Sequence, residues 1–183
     1  MMNVVSVPLQ GVYEIVPKKF EDNRGWFLES FNLRDLSAVI GKSHNFVQDN
    51  HSYSRRGVLR GMHYQIENPQ GKLVRVVSGE VYDVVVDLRV SSRTYGKCYG
   101  TYLSGENMKQ LWVPPGLAHG FLVVSPEAQF LYKTTDYYNS SAERCIAWDD
   151  PDLNISWPLQ HREIFVSNKD RQGVTFKAAE KFD

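Results

Sequence analysis

Apolar and polar positions alternate along most of this chain, in short runs bounded by turn residues. The runs are "GVYEIVP" (11–17), "GWFLESF" (25–31), "FVQDNHSYS" (46–54), "GVLRGMHYQ" (57–65) and "KLVRVVSG" (72–79). They continue as "EVYDVVVDLR" (80–89), "CYGTYLS" (98–104), "KQLWVP" (109–114), "HGFLVVS" (119–125) and "FLYKTTDYY" (130–138). Alternation at period two marks a strand with one buried face. Between the runs stand "DNRG", "SRRG", "NPQG", "SG", "SGEN" and "PPG", rich in residues that supply turn conformations. The pattern predicts an all-β chain, a sandwich or barrel. Two halves of hairpins closing over one mouth make a jelly roll, with ligands bound in the mouth. One helix is expected over "NLRDLSAVIG" (32–41), with Asn32 as N-cap, Leu33, Leu36, Val39 and Ile40 as its apolar face, and Gly41 as its stop. The C-terminal third reads as loop, with tryptophans expected to cover an opening or an edge.

The chain has 183 residues, enough to bury a core, and is read as one jelly-roll domain over 1–183. Lys plus Arg equal Asp plus Glu, so there is no basic excess to suggest nucleic-acid binding. A small anionic ligand needs only a local basic cluster and stays open. Cys98 and Cys145 are far apart and read as reduced thiols of a cytoplasmic protein. The first residues lack a signal-peptide pattern, and no apolar run has the length of a membrane span.

His63 and Arg60 in "RGMHYQ" interrupt a run where a β-protein ordinarily buries aliphatics. Histidine is the side chain ordinarily suited to exchange protons near neutral pH, which makes His63 the natural proton acceptor; Asp170 in "NKDRQG" is a loop carboxylate available to orient it. The competing reading is a core histidine with a satisfied hydrogen bond. Lys72 opens its strand, a position usually exposed; turned inward it stabilises an oxyanion. Tyr132 shares a face with Phe130 and Thr134 and is either core or a proton donor. Arg24, Arg60 and Lys169 suit phosphates. Pro114, Gly116 and His119 in "PPGLAHG" match the second half of a cupin metal pattern, but Gln65 stands where its second histidine belongs. Two histidines and a glutamine make a poor zinc or iron site, so no metal is expected.

Regular alternation puts Arg60 and His63 on opposite faces. Gly61 between them is therefore expected to sit at a bulge that re-aims the side chains; a regular ladder through 58–65 refutes this.

The stretches "FEDNRGWFLESF", "FVQDNHSYSRRGVLRGMHYQ", "QGKLVRVVSGEVYDVVVDLRVSSRTYG", "LSGENMKQLWVPPGLAHGF", "LYKTTDYY", "WDDPDLNISWP" and "SNKD" run in order over most of the chain. Together they resemble the dTDP-4-dehydrorhamnose 3,5-epimerase family. Met62 stands where Leu is usual, and Leu117 where Phe is usual; both swaps bear on packing more than chemistry. The resemblance implies a cupin-type jelly roll without metal or cofactor, and a homodimer that exchanges N-terminal strands. The implied substrate is a dTDP-linked 4-keto-6-deoxy sugar inverted at C3 and C5. By resemblance His63 is the base, Asp170 its orienting partner, Lys72 the enolate stabiliser and Tyr132 the acid on the opposite face. Arg24, Glu29, Gln48, Asn50, Arg60, His119, Glu143 and Lys169 match substrate contacts of the family. Tyr138 matches a residue stacking near thymine, with Phe20 and Phe27 as further stacking candidates. Residues 20 to 29 are expected to come from the partner subunit. Inversion of one carbon only, a CDP-, UDP- or GDP-linked sugar, or a non-catalytic sugar-nucleotide-binding barrel are the alternatives.

Overall fold

The computed structural model describes residues 3–183. Its strands are β1 (Asn3–Ser6), β2 (Tyr13–Val16), β3 (Lys19–Asp22), β4 (Gly25–Leu28), β5 (Gln48–Arg55), β6 (Leu59–Gln65) and β7 (Lys72–Ser78). They continue as β8 (Glu80–Asp87), β9 (Cys98–Ser104), β10 (Gln110–Val113), β11 (Leu117–Val123), β12 (Glu127–Thr134) and β13 (Glu143–Cys145). A six-stranded sheet runs β1-β2-β10-β7-β12-β5, a five-stranded sheet runs β13-β6-β11-β8-β9, and β3-β4 form a separate hairpin. Every ladder within them is antiparallel.

The two large sheets face each other. Val74, Val76, Leu111 and Phe130 from the first pack against Val81, Val85, Leu103 and Phe121 from the second. This is the jelly-roll sandwich that the alternation predicts, because each strand buries its apolar face against the other layer. The helix α1 (Leu33–Ile40) is also as expected. Asn32 accepts from the amides of Arg34 and Asp35, and Gly41 ends the helix at φ 70°. Leu36 of α1 packs with Ile15, Leu73 and Trp112 on the outer face of the six-stranded sheet.

Some expectations are corrected. The strand expected over 130–138 runs Glu127–Thr134 and stops because the Thr134 hydroxyl and the Tyr137 amide bond to Asp136, turning the chain. The short strands β1, β3 and β13 have no counterpart in the alternation pattern. Of the C-terminal tryptophans, Trp157 lies against the five-stranded sheet. It packs edge-on against Tyr82 as part of the layer that Leu153, Phe176 and Phe182 lay over the outer face of the five-stranded sheet.

The bulge at Gly61 is present. His63 lies opposite His119 and Arg60 opposite Phe121, so the register slips by one residue between them. Gly61 has φ 130°, and a Cβ there would stand 2.5 Å from the Gly120 Cα. A side chain would hold the strands apart; glycine lets them meet. The extra residue turns Arg60 and His63 toward one cavity.

Candidate active site

A cavity of about 620 Å³ opens between the sheets. Its walls carry His63 from β6 and His119 from β11 on one side, and Lys72 from β7 and Tyr132 from β12 on the other. Glu143 of β13, Tyr138, and the segment holding Phe165, Lys169 and Asp170 complete it.

His63 Nε2 lies 2.6 Å from Asp170 Oδ1. Asp170 begins a short 3₁₀ turn (Asp170–Gln172), and its amide donates to Ser167 Oγ at 3.1 Å. Burial alone raises the Asp170 pKa. The hydrogen bond and charge of His63, with bonds from Ser167 and the Gly61 backbone, outweigh that and hold it below the ordinary range. A fixed carboxylate thus bonds to one ring nitrogen and leaves the other, Nδ1, free.

Lys72 lines the cavity instead of pointing to solvent, contrary to what its place at a strand start suggests. Burial lowers its pKa to about 8, against the opposing pull of Glu143 and Asp83. Its β7 neighbours, β10 and β12, leave no open edge beside it. Burial, then the charge of Glu143, raises the Tyr132 pKa, so the phenol keeps its proton at neutral pH.

A second histidine–aspartate pair lies beside the first. His119 Nε2 is 2.9 and 3.0 Å from the two carboxylate oxygens of Asp83. Asp83 has no exposed surface, and burial raises its pKa while His119 and Lys72 oppose the rise. The sequence reading missed Asp83. Its signal is an acid at an inward position in the middle of the apolar run "EVYDVVVDLR". The reading also missed Phe121 and Phe130, stacked with centroids 4.2 Å apart in the cavity wall. Phe165 was missed too, since only tertiary contact brings it to the mouth: it exchanges backbone hydrogen bonds with Gly57 and Leu59.

At another part of the wall, Glu143 accepts a 2.6 Å hydrogen bond from Tyr138 and an ion pair from Lys169. Arg60 reaches into the same cavity while its Nε donates to Ser54 Oγ at 3.0 Å. Gln48 and Asn50 do not line this cavity. They lie on β5, where Asn50 pairs with Tyr132 in register and Gln48 accepts from the Tyr138 amide.

Phe20, Arg24, Phe27 and Glu29 are not brought to the cavity of their own chain. Phe20 and Phe27 pair across the β3–β4 hairpin, 53% and 69% exposed. Arg24 is held by Asp22 at 2.6 Å, and Glu29 accepts from Asn32. β1 pairs with β2 of its own chain.

His63 and Asp170 are joined by Cys145 in a group whose potential ligand atoms all lie within 4.8 Å. As they stand, the 2.6 Å between His63 and Asp170 is a hydrogen bond, tighter than two ligands sit on one zinc. Among the described residues, no helix is long and apolar enough to cross a membrane.

The family model described as dTDP-4-dehydrorhamnose 3,5-epimerase matches residues 6–178. The chain is 52% identical over 181 residues to the dTDP-4-dehydrorhamnose 3,5-epimerase of Pseudomonas aeruginosa, covering 99% of each. It is 51% identical over 182 residues to the enzyme of that name from Shigella flexneri, again covering 99% of each. The crystal structure of dTDP-6-deoxy-D-glucose-3,5-epimerase from Legionella pneumophila, in complex with dTDP-4-keto-L-rhamnose, superposes with TM-score 0.95 at 45% identity, covering 98% of this chain and 95% of that one. With a cupin-type sandwich, a histidine–aspartate pair and a tyrosine facing it across one cavity, the chain belongs to the dTDP-4-dehydrorhamnose 3,5-epimerase family.

Proposed function

We propose that this chain inverts C3 and C5 of dTDP-4-dehydro-6-deoxy-D-glucose, giving dTDP-4-dehydro-L-rhamnose for dTDP-L-rhamnose or related deoxysugar biosynthesis. The observation that carries the mechanism is the placement of His63–Asp170 and Tyr132 on opposite sheets across one cavity. Both carbons flank the C4 ketone, so each proton leaves as an enolate forms. His63 takes the proton at Nδ1, with Asp170 fixing the ring through Nε2. Lys72, charged below pH about 8, stabilises the enolate oxygen. Tyr132, still protonated, returns a proton to the opposite face, and the carbon inverts. One proton leaves and one returns at each centre, so the reaction is redox-neutral and asks for no cofactor.

Arg60, His119, Tyr138, Glu143 and Lys169 hold the substrate, with Gln48 and Asn50 beside them; Tyr138 provides a ring for the thymine. Two chains form a homodimer by exchanging N-terminal strands. The β3–β4 hairpin of one carries Phe20, Arg24, Phe27 and Glu29 to the cavity of the other. The exposed aromatics of that hairpin support this, because they gain cover only from a surface outside their own chain. A nucleotide-sugar substrate places the enzyme in the cytoplasm.

The test is solvent deuterium incorporation at C3 and C5, followed by NMR of the product. His63→Ala retains nucleotide binding and loses exchange at both carbons. Undiminished turnover in that variant overturns the base assignment. Exchange at one carbon only in the parent enzyme overturns the double inversion.

A further inference from the structure

We propose that Cys145, His63 and Asp170 form an inhibitory site for a thiophilic divalent cation, Zn²⁺ or Cd²⁺. The mechanism above uses His63 and Asp170 and leaves Cys145 without a part. Yet Cys145 is paired with His63 in the β13–β6 register, so their side chains leave neighbouring strands side by side. Sγ, the imidazole and the carboxylate offer one ligand atom each, all within 4.8 Å of one another. A sulfur, a nitrogen and an oxygen converging from three elements are a zinc-type donor set, two of whose members, His63 and Asp170, line the cavity.

The donors need little movement. Ligands on a tetrahedral zinc stand roughly 3.3–3.8 Å apart, given metal–ligand bonds of about 2.0–2.3 Å. The His63–Asp170 pair therefore opens by less than about 1 Å from its 2.6 Å, and the Cys145 side chain swings inward. Its present partners are backbone groups, the Ile146 carbonyl at 3.5 Å from Sγ and the Met62 backbone, and a sulfur hydrogen bond is weak.

The protons balance as follows. Cys145 gives its thiol proton to solvent and binds as thiolate. The neutral imidazole moves its proton from Nε2 to Nδ1 and binds the metal through Nε2. Nδ1 then has no lone pair to accept a proton from the sugar, so the metal stops turnover without occupying the nucleotide end.

The loss of turnover rests on His63 being the base; metal binding does not, and the experiment reads the two apart. The enzyme, Cys145→Ser and Cys98→Ser are titrated with Zn²⁺ during turnover, with Mg²⁺ as the hard-cation control. Cd²⁺ is titrated separately, reading the ultraviolet thiolate-to-metal charge-transfer band. The parent and Cys98→Ser show the band and chelator-reversible Zn²⁺ inhibition, falling in kcat with KM little changed. Cys145→Ser keeps basal activity, lacks the band and needs about tenfold more Zn²⁺ or greater. Equal inhibition of parent and Cys145→Ser, equal potency of Mg²⁺, or no band in the parent overturns the site. A band that forms while turnover continues keeps the site and overturns His63 as base.

Discussion

The role proposed for Lys72 ties turnover to a stability cost, and Lys72→Met tests both at once. The ammonium is held in the cavity, where its pKa falls from the ordinary 10.5 to about 8. That gap corresponds to about 3 kcal/mol by which folding disfavours the charged form. Between pH 8 and 10.5 the unfolded chain binds the proton and the folded chain does not, so this group makes stability rise with pH across that window. Below pH 8 both states are charged and the cost is complete. Methionine fills similar volume without charge. Asp83 and Glu143 lose a counter-charge in the exchange, although Asp83 keeps both contacts to His119. The expected net gain at pH 7 is therefore about 1–3 kcal/mol, a rise in Tm of roughly 2–10 °C at fixed protein concentration. The gain shrinks toward nil above pH 10.5. Turnover falls about 10²–10³-fold, the loss typical of removing one oxyanion donor. Calorimetry from pH 6 to about 10.5, beside the deuterium-exchange assay, measures both effects. A variant no more stable than the parent at pH 7, or one that turns over normally, refutes the reasoning.

Asp83→Asn keeps an acceptor for His119 but removes the charge that raises the Lys72 pKa, so the alkaline limb of kcat moves to lower pH; a full pH–rate profile reads this, and an unmoved limb denies the coupling. Gly61→Ala forces a side chain at φ 130° to within 2.5 Å of the Gly120 Cα. It is expected to cost about 2–4 kcal/mol in urea unfolding and to lower kcat/KM by pushing His63 out of line. Mixing inactive His63→Ala with inactive Arg24→Ala dimers restores about a quarter of parent activity, because half of randomly reassorted dimers carry one intact shared site; no recovery after subunit exchange argues that each cavity uses its own hairpin.

Most strands and the helix were legible because their causes are local. Period-two alternation, turn residues, the Asn32 cap and the left-handed Gly41 each act within a few positions. β3 ("KFED") and β13 ("ERC") were not legible, because no apolar face defines them and only the strand beside each makes it a strand. The bulge at Gly61 was readable as a conflict between alternation and chemistry: Arg60 and His63 cannot share a wall in a regular strand.

The chain by itself determined the sandwich, the family motifs and the residues that carry them, because burying alternate side chains needs only the order of the residues. The tertiary structure decided which groups meet and in what charge state. His63 and Asp170 are 107 positions apart and become a 2.6 Å pair only when the C-terminal segment crosses the mouth. Lys72 looked like a solvent-facing strand start until two sheets closed around it. Phe20 and Arg24 carry family motifs yet stay outside the cavity of their own chain. Local pattern governs backbone pairing, whereas desolvation and charge coupling depend on distances between residues remote in sequence, and those exist only once the sheets have packed.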